Sequence, residues 1–167
     1  MSSRLLAGLA AVGFVLAAVS IAGAHCQIPC GIYGDPVRFA QLKEHVTTIE
    51  KSMQQIQALS REKEPNWNQL VRWVGNKEAH ADELAEIVTY YFMSQRVKPA
   101  DPADAAASAK YVRQITLLHK MLVHAMKAKQ TTDLEHCKQL RVLIHEFEAS
   151  YLGQQVHKHA AAGHTHK

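Results

Sequence analysis

Between residues 36 and about 59, Phe39, Leu42, Val46, Ile49, Met53 and Ile56 recur at steps of three and four, the stripe of an amphipathic helix. Asp35-Pro36 predicts its start, with the aspartate as cap and the proline in the first turn. A second helix is expected over 67–96, with Leu70, Val74, Leu84, Val88 and Tyr91 inward, Asn66 and Gln69 at its start and a weak point at Gly75. After Lys98-Pro99, the stretch 101–104 opens a third helix carrying Tyr111, Ile115, Leu118, Leu122 and Ala125. Thr132-Asp133-Leu134-Glu135 has the form of a capping box, and Leu134, Cys137, Leu140, Ile144, Phe147 and Tyr151 form the fourth stripe. Four helices with short connections predict an all-α chain, an antiparallel four-helix bundle over 36–155. Trp67, Trp73 and the methionines fall at helical spacing and read as packing, and Cys137 reads as a buried core thiol.

The first 24 residues have a different pattern. A short positive start at 1–4, an apolar run at 5–18 and Ala22-Gly23-Ala24 read as a secretory signal cleaved after Ala24. The alternative is a retained anchor, because 5–24 is just long enough to span a bilayer. A lipoprotein signal is excluded, since the bulky His25 precedes Cys26. Cleavage leaves 143 of the 167 residues, enough for one domain with its own core. It implies a periplasmic or secreted protein with no membrane association after processing. The tail 156–167 is small, polar and rich in histidine (His157, His159, His164, His166). A solvated tail and a metal-gathering one both remain open.

Composition narrows the class. Only 8 Gly and 5 Pro accompany 47% hydrophobic residues, which favours long helices over a loop-rich scaffold. The formal charge of +4, or +3 once Arg4 leaves, is too mild and dispersed for nucleic-acid binding, although it can steer a small anion. Three cysteines do not make a paired disulfide framework, with Cys26 and Cys30 close together and Cys137 remote. A local Cys26–Cys30 disulfide is one reading of the close pair, and export favours it.

The other reading is a metal hook. A processed chain begins His25-Cys26-Gln27-Ile28-Pro29-Cys30-Gly31-Ile32-Tyr33. The freed amine of His25 and the deprotonated amide of Cys26 form a five-membered chelate ring, and the thiolates of Cys26 and Cys30 complete a plane. Square-planar nitrogen and sulfur donation suits divalent nickel or copper. The His25 imidazole reaches an axial position from the same residue and favours the trivalent ion. Pro29 fixes one backbone angle and Gly31 permits a positive φ after Cys30, so that the chain can curl back. Tyr33 can then stand over the open face.

The string H-C-x-x-P-C-G-x-Y, carried by His25, Cys26, Pro29, Cys30, Gly31 and Tyr33, resembles the nickel-hook signature of the nickel superoxide dismutases. That resemblance implies a four-helix bundle behind an N-terminal hook at 25–35, a homohexamer, and one nickel ion per subunit. It implies disproportionation of superoxide to oxygen and hydrogen peroxide through a Ni(II)/Ni(III) cycle. The family's ligands fall on the amine and imidazole of His25, the amide and sulfur of Cys26 and the sulfur of Cys30, and Tyr33 matches the tyrosine lining substrate access. Gln27 replaces an aspartate of well-known members, and Gly34 is an insertion before Asp35-Pro36. Partners for the histidine ring match no motif, and Glu44, His80 and Tyr91 are candidates. His45, His119, His124, His136 and His145 show no two-histidine-plus-carboxylate pattern and read as surface or capping residues. The rival function is a non-enzymatic exported nickel- or copper-binding protein, which accounts for the tail but not for Pro29, Gly31 and Tyr33. A disulfide-stabilised helical interaction module accounts for neither.

Overall fold

A computed structural model describes residues 34–153. The leader, the hook residues His25, Cys26, Cys30 and Tyr33, and the histidine-rich tail lie outside the described residues.

Four helical rods follow one another: α1 (Asp35–Leu59), α2 (Trp67–Glu86) running on into a π-helical segment (Ile87–Arg96), α3 (Ala105–Gln130) and α4 (Glu135–Leu152). Their directions can be read from the pairs they form. Across α1 and α4, Lys43 meets Glu148 and Glu50 meets Arg141, so one numbering rises as the other falls. Across α1 and α2, His45 meets His80 and Ser52 meets Asn76 in the same opposed sense. His124 with His136 and Gln114 with Ser150 repeat it for α3 and α4. Neighbours are therefore antiparallel around one core, as short connections require.

That core is the sum of the four stripes. Phe39, Leu42, Val46, Ile49 and Met53 of α1 are sealed against Leu84, Val88, Leu118, Met121, Leu140, Ile144 and Phe147. Phe39, Phe92, Phe147 and Tyr151 cluster at one end, with Phe92 edge-on to Phe147 at 4.9 Å between ring centres. Cys137 is fully buried and its thiol faces the Met53 sulfur at 3.7 Å, as expected of a core thiol. Trp67 is not packing: it stands 67% exposed at the start of α2, and Met126 is also exposed.

Three details depart from the sequence reading. Gly34, not Asp35, occupies the cap position of α1, which frees the Asp35 carboxylate for other contacts. Thr132 caps nothing at α4. Asp133 Oδ1 instead accepts the Glu135 amide at 2.9 Å, an Asx turn that does the same work one residue later. Gly75 interrupts nothing, since α2 runs through it without a break.

Side-chain hydroxyls and amides accompany the π segment. The Thr89 hydroxyl donates to the Ala85 carbonyl at 2.8 Å, the acceptor that Thr89's own amide would use in an α-helix. From there the spacing widens to five residues. Ser94 Oγ covers the Thr89 carbonyl, Gln95 Nε2 covers that of Tyr90, and the Val97 amide closes on Phe92 at 2.9 Å. The wide turn turns adjacent pairs inward, Ile87 with Val88 and Tyr91 with Phe92.

A buried lysine joins α2 to α3. Lys77, only 4% exposed, donates to the carbonyls of Ala128 at 2.9 Å and Thr131 at 3.2 Å, and also to that of Lys129. These are carbonyls at the end of α3 that have no partner within the helix, and a cation belongs there.

Candidate metal centre

The structure fixes the chain where it enters the bundle, two residues beyond Tyr33. One oxygen of Asp35 accepts the Tyr91 hydroxyl at 2.6 Å and lies 3.2 Å from Arg96 Nε; the other accepts the Tyr151 hydroxyl at 3.2 Å. Arg96 also donates to the Tyr91 oxygen at 3.0 Å, and its guanidinium and that of Arg38 lie over the Tyr91 ring. Burial and the adjacent Asp35 charge push both phenols up, Tyr151 to about 12, so both remain protonated donors. The first turn of α1 is thus bolted to the π segment and to the end of α4.

Among the three candidate partners for the histidine ring, Tyr91 belongs to this bolt, Glu44 is exposed, and His80 lies elsewhere on α2. The structure does not bring them together.

His80 instead meets a residue read as a surface or capping histidine. His45 and His80 face each other with their Nδ1 atoms 2.9 Å apart, and a Glu83 oxygen lies 3.4 Å from the first and 3.6 Å from the second. This is the two-histidine-plus-carboxylate arrangement that no linear pattern displayed, because its members come from two helices. His80 and Glu83 are three apart on one face of α2, and the antiparallel register supplies His45 from α1. The His45 ring is mostly enclosed and Glu83 is open to solvent. Burial holds the His45 imidazole below its ordinary range, against the pull of Glu83, and so keeps it neutral. A second pair, His124 and His136 at 3.3 Å, joins α3 to α4, and among the described residues no carboxylate completes a triad there.

Cys137 bears on the sulfur chemistry. Burial pushes its thiol up to about 11, so that it offers no thiolate at neutral pH.

The family model for nickel-containing superoxide dismutase matches residues 20–155. The chain belongs to that family. It is accordingly an oxidoreductase of the superoxide dismutase class, with nickel as cofactor and superoxide as substrate. The matched span runs from just ahead of His25 to the end of α4, so it takes in both the hook string and the whole bundle. Neither the curated proteins nor the solved structures give a significant match.

Proposed function

We propose that the chain disproportionates superoxide to oxygen and hydrogen peroxide at a nickel hook made by processing after Ala24. His25 supplies its amine and imidazole, Cys26 its amide nitrogen and sulfur, and Cys30 its sulfur. Nickel held there supplies a one-electron Ni(II)/Ni(III) couple. The chain's own part is to make that couple usable: two thiolates and an amide anion donate strongly, which brings the potential within reach of superoxide. Pro29 and Gly31 shape the loop that presents both sulfurs, and Tyr33 lines the approach of the anion. The processed protein is exported, and a homohexamer is the assembly that the family resemblance implies.

The observation that carries this reading is the state of the cysteines. The family requires nickel, the donor set that suits redox nickel includes thiolates, and Cys137 is buried and protonated. That leaves Cys26 and Cys30. Family membership also weighs against the rival exported metal binder, since the matched family is an enzyme family.

The test is the protein purified from its native host. Its mass places the N-terminus at His25; it contains one nickel per chain, gives an axial Ni(III) paramagnetic signal and consumes superoxide. Cys26→Ser loses the metal, the signal and the activity together. An intact leader, or a Cys26→Ser protein that retains activity, refutes the hook.

A further inference from the structure

His45, His80 and Glu83 have the geometry of ligands, and none of them is in the ligand set proposed for nickel. Their three facing atoms form a triangle with edges of 2.9, 3.4 and 3.6 Å. The point equidistant from all three lies about 1.9 Å from each, as those edges dictate. An ion making bonds of about 2.0–2.1 Å to imidazole and carboxylate therefore sits roughly 0.7 Å above the triangle. That height is what one face of a tetrahedron requires.

The surroundings agree with the distances. In the tautomer that carries its proton on Nε2, each imidazole turns an Nδ1 lone pair into the triangle. Glu83 brings the negative charge, and its exposure leaves the fourth position to water. Two nitrogens and one oxygen form a harder donor set than the thiolates of the hook, and zinc is among the divalent ions that such a set takes.

We propose that His45, His80 and Glu83 bind a divalent cation of the zinc class, independent of the nickel hook, and that this ion staples α1 to α2. An ion bound by the folded chain and not by the unfolded one stabilises the fold by mass action. Neither helix carries a cysteine that could cross-link the pair, and His45 lies ten residues past Asp35, about 15 Å along α1. The staple therefore secures the middle of the helix pair, well removed from the bolt at Asp35.

The probe is cobalt(II), whose visible bands report both geometry and ligand type, added to the nickel-loaded, full-length processed enzyme. The unmodified protein takes up one more equivalent of cobalt than His80→Gln, with ligand-field bands of a four-coordinate site and no thiolate charge-transfer band. Zinc displaces that equivalent. Zinc also raises the thermal midpoint of the unmodified protein and not that of His80→Gln. Glu83→Ala, a change at an exposed side chain that leaves the fold in place, binds cobalt at least about tenfold more weakly. Equal uptake and superimposable spectra for the unmodified protein and both variants would overturn the proposal and leave a hydrogen-bonded histidine pair. Cobalt uptake with no zinc effect on the thermal midpoint would overturn the staple.

Discussion

The Tyr91 hydroxyl donates a 2.6 Å hydrogen bond to the Asp35 carboxylate, and through it the π segment grips the first turn of α1. Tyr91→Phe removes this bond and the acceptor of Arg96 while keeping the ring beneath the two guanidiniums. A hydrogen bond to a charged group in a partly exposed site is worth about 1–2 kcal/mol. Thermal unfolding should show a midpoint lower by roughly 3–5 °C for a chain of this size. An unchanged midpoint would mean that the bolt carries no load.

Lys77→Met tests the lysine that closes α3. The methionine fills the space but leaves the Ala128 and Thr131 carbonyls, and that of Lys129, without their donor. Removing a charged donor from buried acceptors costs about 3 kcal/mol. Chemical denaturation should register that loss at unchanged slope, and hydrogen exchange should quicken in the last turn of α3 before it does elsewhere.

Gly75→Ala should stabilise the protein. The residue lies mid-helix, and an added methyl would meet no atom within 4 Å. Alanine at such a position is better than glycine by about 0.5–1 kcal/mol. A higher midpoint in urea checks it; a lower one would show that α2 bends there in solution.

Alkali should unfold the chain in a defined window. Burial raises the Cys137 thiol from its ordinary 9.0 to about 11, and burial with the Asp35 charge raises the Tyr151 phenol from 10.0 to about 12. Both groups hold their protons more tightly when folded. Their contribution is thus complete below pH 9 and is lost as pH rises through about 11 for the thiol and about 12 for the phenol. Urea midpoints measured from pH 8 upward should fall across that range, and Cys137→Ala should flatten the part between 9 and 11. Iodoacetamide should leave Cys137 unmodified in the folded protein and label it in urea.

Most of the bundle was legible because four apolar stripes hold the helical period for long stretches. Phe39 to Met53 and Leu140 to Phe147 could face only one way. Where the sequence misled, the deciding partner was distant along the chain. Asp35 looked like a cap because caps are local, but its partners are 56 and 116 positions away. His45 looked like a surface residue because Glu83 and His80 reach it only through the register of two helices. Lys77 lay on no stripe, and nothing nearby announced that it reaches the end of another helix. The π segment was hidden for another reason, since Ile87, Val88, Tyr91 and Phe92 suit a wide turn and an ordinary one alike. The hook was the opposite case, a purely local motif whose reading needed no tertiary contact.

The five-residue closure over Ile87–Arg96 means that this stretch holds more residues than an ordinary helix needs for the same number of turns. Side chains can be exchanged while the ladder stands, and deleting a single residue lets ordinary pitch resume. A five-residue closure takes about one residue more per turn than an ordinary one, so after a deletion between Ile87 and Tyr90 the Tyr91 ring keeps nearly its present angle and still reaches Asp35. A one-residue deletion in this stretch should therefore damage the protein less than one in the middle of α1, where everything beyond it would turn by about 100°.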